Sequence, residues 1–340
     1  MSGEQIEGEI ESLLKQMTQE EKIGQLNLYS DFWDVTGPVP QDGDPQASYE
    51  DLRNGKVGAL LNVAGAAKAN TLQRLVIEET RLKIPLLFGY DIIHGYQTML
   101  PVPIGESASW SLCLIELGAR IAAREASAAG INWTYAPMVD ITRDARWGRI
   151  MEGAGEDPFL GSAIAAARVR GFQGTSLTDI ESVAACAKHF AGYGFVEGGK
   201  DYNTAEISDA TFHDMVLPPF RAAIQAGAAT VMTSLHELNG RPTSGDRKLL
   251  RDTLRELLGF NGVLVSDWNS IGEMVAHGVA ADNLHAAQIA FRAGVDIDME
   301  GRCYHKHLSA LLAKGIFTEE LLNESVRRVL RLKHSLGLFS

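Results

Sequence analysis

Asp267 closes the apolar run Gly262-Val263-Leu264-Val265-Ser266 and is followed at once by Trp268. A carboxylate beside an indole can attack an anomeric carbon while the ring stacks on a sugar face, forming and then releasing a glycosyl ester. The plainer reading of such an Asp is an N-cap for the next helix. Lys188-His189 ends another apolar run and leads into Ala191-Gly192-Tyr193-Gly194. Two adjacent donors can bond neighbouring hydroxyls of one pyranose; otherwise they are a solvated Lys and a core His. Asp91, ahead of Ile92-Ile93-His94-Gly95, can accept a pair of sugar hydroxyls, or pair with an Arg or cap a turn. Arg146 and Arg149 stand three apart, with Glu152, Glu156 and Asp157 close behind. A rim salt-bridge cluster explains Arg146 better than it explains Arg149. Asp157-Pro158 reads as a helix N-cap with Pro at the first helical position.

These residues recur at one kind of place. Apolar runs of strand length lie at Val57–Leu61, Leu86–Tyr90, Asn132–Val139, Val183–Phe190, Ala229–Ser234, Val263–Asp267 and Val295–Met299. Helical patterns separate most of them: Ala66–Leu82, Leu114–Ala129, Phe159–Phe172, Ser208–Ala226, Lys248–Leu257 and Asn283–Ala293, with a last one at Thr318–Leu336. Continuous apolar strands between helices imply a parallel sheet buried on both faces. Seven or eight such units in one chain favour a TIM-type (β/α)8 barrel, the α/β class, over an open sheet. The 340 residues suit a single domain, 1–340, with an N-terminal helical extension over the first 26 residues. There Thr18-Gln19-Glu20-Glu21 has capping-box spacing. Residues 31–48, rich in Asp, Gly, Pro and Gln, read as an irregular excursion. Five strands end in polar residues: Asp91, Asp140, Lys188-His189, Thr233-Ser234 and Ser266-Asp267. Barrel enzymes place their chemistry at the C-terminal ends of strands, so five such endings predict one rim site.

Composition narrows the partners. Lys plus Arg is 31 against 43 Asp plus Glu, a net charge of −12, which disfavours nucleic acid and suits a neutral substrate. Cys113, Cys186 and Cys303 are scattered and form neither a disulfide framework nor a metal motif. No apolar run is long enough to span a membrane. The start, Met1-Ser2-Gly3-Glu4-Gln5, is polar and is no signal peptide. No metal or organic cofactor is expected.

The ordered set resembles the barrel domain of glycoside hydrolase family 3, the β-glucosidase family, and most its periplasmic bacterial branch. The resemblance rests on Gly89-Tyr90-Asp91-Ile92-Ile93-His94-Gly95 with Pro101-Val102-Pro103, and on Asp144 through Gly155-Glu156-Asp157-Pro158. It continues through Lys188–Gly194, Glu197–Thr204, Leu238-Asn239-Gly240 and Gly262 through Asp267-Trp268. It implies exo-acting, retaining cleavage of terminal β-D-glucosyl residues from a β-glucoside or oligosaccharide. Asp267 would be the nucleophile. Asp91, Arg149, Lys188, His189 and Met232 would hold the sugar, and Trp268 would wall its subsite. It also implies a periplasmic or secreted setting, the polar start otherwise suiting the cytoplasm. Two departures concern the outer subsite: many relatives have Arg where this chain has Glu273, and often Tyr where it has Leu235.

A retaining mechanism needs a second carboxyl group ~5–5.5 Å from the nucleophile. Two-domain relatives supply the acid from an α/β sandwich domain after the barrel, expected here to be absent from the chain and available, if at all, as a separate domain. Single-domain relatives use an Asp–His pair on the loop after the Lys-His strand, but residues 194–204 contain no His. Within the chain the candidates for acid/base are Glu197, Asp201 and Glu300, with Glu237 as a further one. Two other readings stand beside this: a catalytically silent sugar-binding barrel, and a metabolic barrel for phosphorylated substrates. The second expects a Gly-rich phosphate loop after a late strand, where this chain has Met299-Glu300-Gly301-Arg302.

Overall fold

The computed structural model describes residues 3–30, 45–63 and 65–339. Eight parallel strands form its centre: β1 (Asn27–Ser30), β2 (Ala59–Leu61), β3 (Leu87–Tyr90), β4 (Trp133–Thr134), β5 (Cys186–Phe190), β6 (Thr230–Thr233), β7 (Val263–Val265) and β8 (Asp298–Met299). One ladder runs β8-β1-β2-β3-β4 and another β5-β6-β7. Single bridges close the two seams, Trp133 to Ala184 and Met138 to Lys188 on one side, Val265 to Ile297 on the other. Each strand therefore has a neighbour on both sides, and the fold is the expected TIM-type barrel. Helices from Ala66–Glu79 to Glu319–Ser335 cover it.

The expected elements hold with physical corrections. Strand β1 has no counterpart among the expected ones. It is short and polar at both ends, yet wholly buried, and Asn27 Nδ2 donates to the Lys56 carbonyl at 2.9 Å. The strand expected at Asn132–Val139 shrinks to two residues. Pro137 has no N–H to continue the ladder, although its carbonyl still accepts from Lys188 N at 3.1 Å. Val295–Met299 shrinks to β8 because the Asp296 side chain, not a neighbouring strand's carbonyl, receives the Leu264 N–H. Over Ser208–Ala226 the helix widens to a π-type turn at Phe212–Val216. Pro218 and Pro219 lack the N–H groups that regular helical bonds require. A helix at Pro45–Arg53 replaces the end of the expected irregular segment; residues 31–44 of that segment lie outside the described residues. The Thr18 capping box is present, with both reciprocal bonds to Glu21. Gly89 in β3 is required by packing: a Cβ there would lie 1.9 Å from the Tyr135 hydroxyl.

The C-terminal helix Glu319–Ser335 lies against the N-terminal helix Gly3–Gln16, tied by Arg327–Glu11 and Arg331–Glu7. On its inner face Lys333 is fully buried, and its Nζ donates to Gln25 Oε1 at 2.6 Å. Burial pulls its ammonium down to about 7. An unfolded Lys titrates at about 10.4, so between these values the unfolded chain holds a proton that the folded one lacks. Stability contributed here rises with pH across that window, by about 1.4 kcal/mol per unit. Lys333→Met is therefore expected to melt above wild type near pH 6, with the gap narrowing toward pH 10. Thermal melts across that range check this; a gap independent of pH contradicts it.

Candidate active site

Strand ends bring the chemistry together at the C-terminal rim. Asp267, two residues past β7, is 8% exposed. Its Oδ1 accepts the Trp268 N–H at 2.7 Å, and its Oδ2 has no hydrogen-bond partner among the described residues. It does not cap the following helical turn, Ser270–Glu273, whose N-cap is Asn269. Burial pushes the Asp267 carboxyl above the usual carboxylate range, and Arg149 and Lys188 pull it partly back. The result is a buried carboxylate oxygen with positive charge close by.

His189, near the end of β5, stands beside it, with Nε2 at 3.7 Å from Asp267 Oδ2. This is not an ion pair. Burial, then Arg149, Lys188 and His236, hold the imidazole well below its ordinary value, so it is neutral. Its neighbours settle the tautomer. Nδ1 faces Asp140 Oδ2 at 2.9 Å and donates to it, while Arg149 Nη2 lies 3.1 Å from Nε2 and donates there. Asp140 also accepts the His189 backbone N–H at 2.9 Å. Burial pushes the Asp140 carboxyl up to about 7, against that amide bond and the charge of Arg149.

Lys188 is 4% exposed, not solvated, and its Nζ donates to Asp91 Oδ1 at 2.7 Å. Burial pulls its ammonium down, but Asp91 and Glu152 more than offset this, and it stays above its ordinary value. The Asp91 side chain is 53% exposed and offers its other oxygen to solvent. A cleft of about 470 Å³ lined by Tyr90, Asp91, His94 and Tyr96 opens there. Arg149 spreads its fork over Glu152, at 2.7 and 3.1 Å, and reaches His189 with one arm. Arg146, by contrast, is exposed and paired with Asp144 at 2.6 Å, the rim ion pair expected of it. Met232 is buried near the end of β6, and Trp268 is half-buried against the core.

The remaining carboxylates are placed differently. Glu197 is exposed on the loop after β5. Asp201, on the same loop, accepts the Trp147 indole N–H at 2.6 Å. Glu300 follows β8 with φ +62° and accepts the Ser30 N–H. Burial pushes its carboxyl up to about 7, opposed by that amide and by Arg302, with Asp298 adding to the rise; Asp267 is not among the charges acting on it. Glu237 is held by His277 Nδ1 at 3.0 Å and Thr204 Oγ1 at 3.2 Å.

Three parts of this site were not singled out from sequence. Asp140 was visible as a strand end, but its service to His189 needs the third dimension. Tyr193 stacks on His236 with centroids 5.0 Å apart and planes 7° apart, and supports Arg149 from 5.7 Å. Nothing in the order of residues signals that stack. Glu273, noted only as a departure, carries a carboxyl raised by burial, lowered by His277 and raised again by Asp267, which puts it within electrostatic reach of Asp267.

Residues 18–332 match the glycosyl hydrolase family 3 N-terminal domain. The chain is 42% identical to the periplasmic beta-glucosidase of Salmonella typhimurium over 331 residues, 97% of this chain and 42% of that protein. It superimposes on the beta-glucosidase from Listeria innocua in complex with isofagomine with a TM-score of 0.93 and 40% identity, covering 100% of this chain and 47% of that one. The same Listeria enzyme in complex with glucose gives a TM-score of 0.91 and 38% identity, covering 98% and 47%. The chain thus spans less than half the length of these relatives. With its barrel closed and these similarities in hand, the chain belongs to glycosyl hydrolase family 3, to which it contributes an N-terminal domain.

Proposed function

We propose that this barrel carries the sugar-binding and nucleophilic part of a retaining β-glucosidase. One observation carries the reading: Asp267 presents a buried, unbonded oxygen at the rim, flanked by Arg149, Lys188 and a neutral His189. That oxygen attacks the anomeric carbon of a terminal β-glucosyl residue. The C1–O bond to the leaving group breaks, and the departing oxygen takes a proton from an acid. Water then attacks C1, gives up a proton, and frees the Asp267 carboxylate. Asp91, Lys188, His189 and Arg149 bind the sugar hydroxyls, with Met232 and Trp268 closing the subsite. These groups favour the transition state where their bonds to the sugar tighten as charge develops on the ring.

The acid is proposed to come from a separate domain. Among the chain's own carboxylates, Asp201 accepts the Trp147 indole N–H through Oδ1 and Glu300 accepts the Ser30 N–H through Oε1, its Oε2 having no hydrogen-bond partner among the described residues. Loss of general-acid help costs ~10²–10⁴-fold, so the barrel without its acid should favour leaving groups that need little protonation. A periplasmic setting is proposed only by the likeness to the Salmonella protein. The test is hydrolysis of para-nitrophenyl β-glucoside followed by NMR of the first-formed sugar. The expected result is slow release with β-glucose appearing first. First appearance of α-glucose would refute retention, and binding of glucose without any turnover would favour the silent barrel.

A further inference from the structure

Asp267 follows β7 and Asp91 follows β3. In the closed barrel β4, β5 and β6 separate these strands on one side, and β8, β1 and β2 on the other. The two carboxylates therefore stand across the barrel mouth from each other. The groups between them come in order: His189 Nε2 lies 3.7 Å from Asp267 Oδ2, and Lys188 Nζ lies 2.7 Å from Asp91 Oδ1. A glucosyl ring with C1 at Asp267 and its hydroxyls on these groups points its far end, C4 and C6, toward Asp91.

The space does not end at Asp91. The cleft of about 470 Å³ opens there, formed by the loop after β3 and lined by Tyr90, Asp91, His94, Tyr96 and Met99. That volume is in the range of small-ligand sites. The loop is fixed from three directions. Leu100 N donates to the His94 carbonyl at 2.8 Å and His94 Nδ1 to the Leu100 carbonyl at 3.1 Å, closing the loop on itself. Glu125, in the helix Leu112–Ala128, accepts the Gln97 and Thr98 N–H groups, each at 2.8 Å, and the Thr98 hydroxyl at 2.5 Å. Buried Arg168 donates to the Ile93 carbonyl at 2.8 Å. Gly95, at φ +104°, permits the turn. Tyr96 is set edge-on to Tyr90, with centroids 5.6 Å apart and planes at 86°. Met99 is 69% exposed. A ring and a thioether are thus held ready at the cleft, so a ligand there has little loop ordering to offset.

We infer that this cleft is a second sugar subsite, on the non-reducing side of the bond that is cleaved. It takes a neutral sugar ring carried on O6 of the glucosyl residue bound between Asp91 and Asp267. Tyr96 and Met99 pack on the apolar C–H face of that ring. Asp91 has about four lone-pair sites, of which Lys188 takes one, so it can accept O4–H of the first ring and a hydroxyl of the second. O6 is the position served, because it stands on a rotatable CH2 outside the ring and leaves O4 free for Asp91. The inference rests on Asp267 being the nucleophile and Asp91 a sugar-holding group. It widens the substrate class from plain glucosides to 6-O-glycosylated ones, cleaved to an intact disaccharide and the leaving group.

The test compares para-nitrophenyl β-glucoside with para-nitrophenyl 6-O-β-xylosyl-β-glucoside, with the products separated by chromatography. Wild type is expected to release nitrophenol and intact xylosylglucose from the second, at a kcat/KM within about tenfold of the first. The ratio of the two kcat/KM values is read within one protein, so an overall loss in a variant cancels. Tyr96→Ala should lower that ratio about tenfold, through KM of the substituted substrate, and Tyr96→Phe should keep it. Met99→Ala, at an exposed position that leaves the fold alone, should lower it a few-fold. Cleavage of the plain glucoside alone, free xylose as the first product, or an unchanged ratio in both alanine variants overturns the inference. Labelling of wild type by 2-deoxy-2-fluoro-β-glucosyl fluoride separates the two failures. Label on Asp267 beside any of these results sinks the subsite alone, whereas no label on Asp267 sinks the reading beneath it.

Discussion

Asp267→Asn is expected to lower kcat/KM on para-nitrophenyl β-glucoside by on the order of 10⁴-fold or more, the scale of losing a nucleophile. The substitution keeps the shape and the Trp268 N–H bond but removes the charge that bonds to C1. It should leave the fold intact, because Asp267 carries no structural ion pair; its His189 neighbour is neutral. Removing a buried carboxylate even relieves a desolvation cost, so the melting temperature should hold or rise. Replacing Asp267 by Gly leaves a hole in which added azide can attack C1 directly. The product then is the α-glucosyl azide, of inverted configuration. Activity that survives Asp267→Asn within tenfold would remove Asp267 from the nucleophile's role.

Arg149→Met comes second, with an expected loss of ~10²–10³-fold in kcat/KM, the range for truncating a buried charged partner. Arg149 does three things at once: it binds Glu152, fixes the His189 tautomer through Nε2, and lowers the Asp267 carboxyl. The pH dependence separates these. Asp267 must be ionised to attack, and burial has already raised it above the ordinary carboxylate value. Without Arg149 the opposing pull weakens and the carboxyl rises further. The acid limb of kcat/KM should therefore move to higher pH in the variant. Arg149→Met with Glu152→Gln, which avoids leaving a buried carboxylate unpaired, should show the same shift. An acid limb that stays put would mean that Arg149 acts only by holding Glu152 and the loop.

The barrel was legible because seven of its strands carry apolar runs separated by helical patterns. Strand β1 was not, because four residues with polar ends give no period to read; only closure against β2 and β8 defines it. Strand boundaries failed where side chains or prolines take over the ladder, as at Asp296 and Pro137. The site was legible as types at strand ends, and the structure does gather Asp267, His189, Lys188, Asp91 and Arg149 at one rim. What sequence could not supply is which carboxylates touch. Glu300 and Asp201 look alike in the sequence, whereas in the fold one accepts the Ser30 N–H and the other the Trp147 indole N–H.

The central claim is that Asp267 forms the covalent bond to sugar. Incubation with 2,4-dinitrophenyl 2-deoxy-2-fluoro-β-glucoside, proteolysis and peptide mass mapping test it most directly. The account predicts one fluoroglucosyl group per chain, on the peptide containing Asp267-Trp268, and none in Asp267→Asn. A label on Glu273, Glu300 or any other carboxylate, or glucose binding with no label at all, would contradict it.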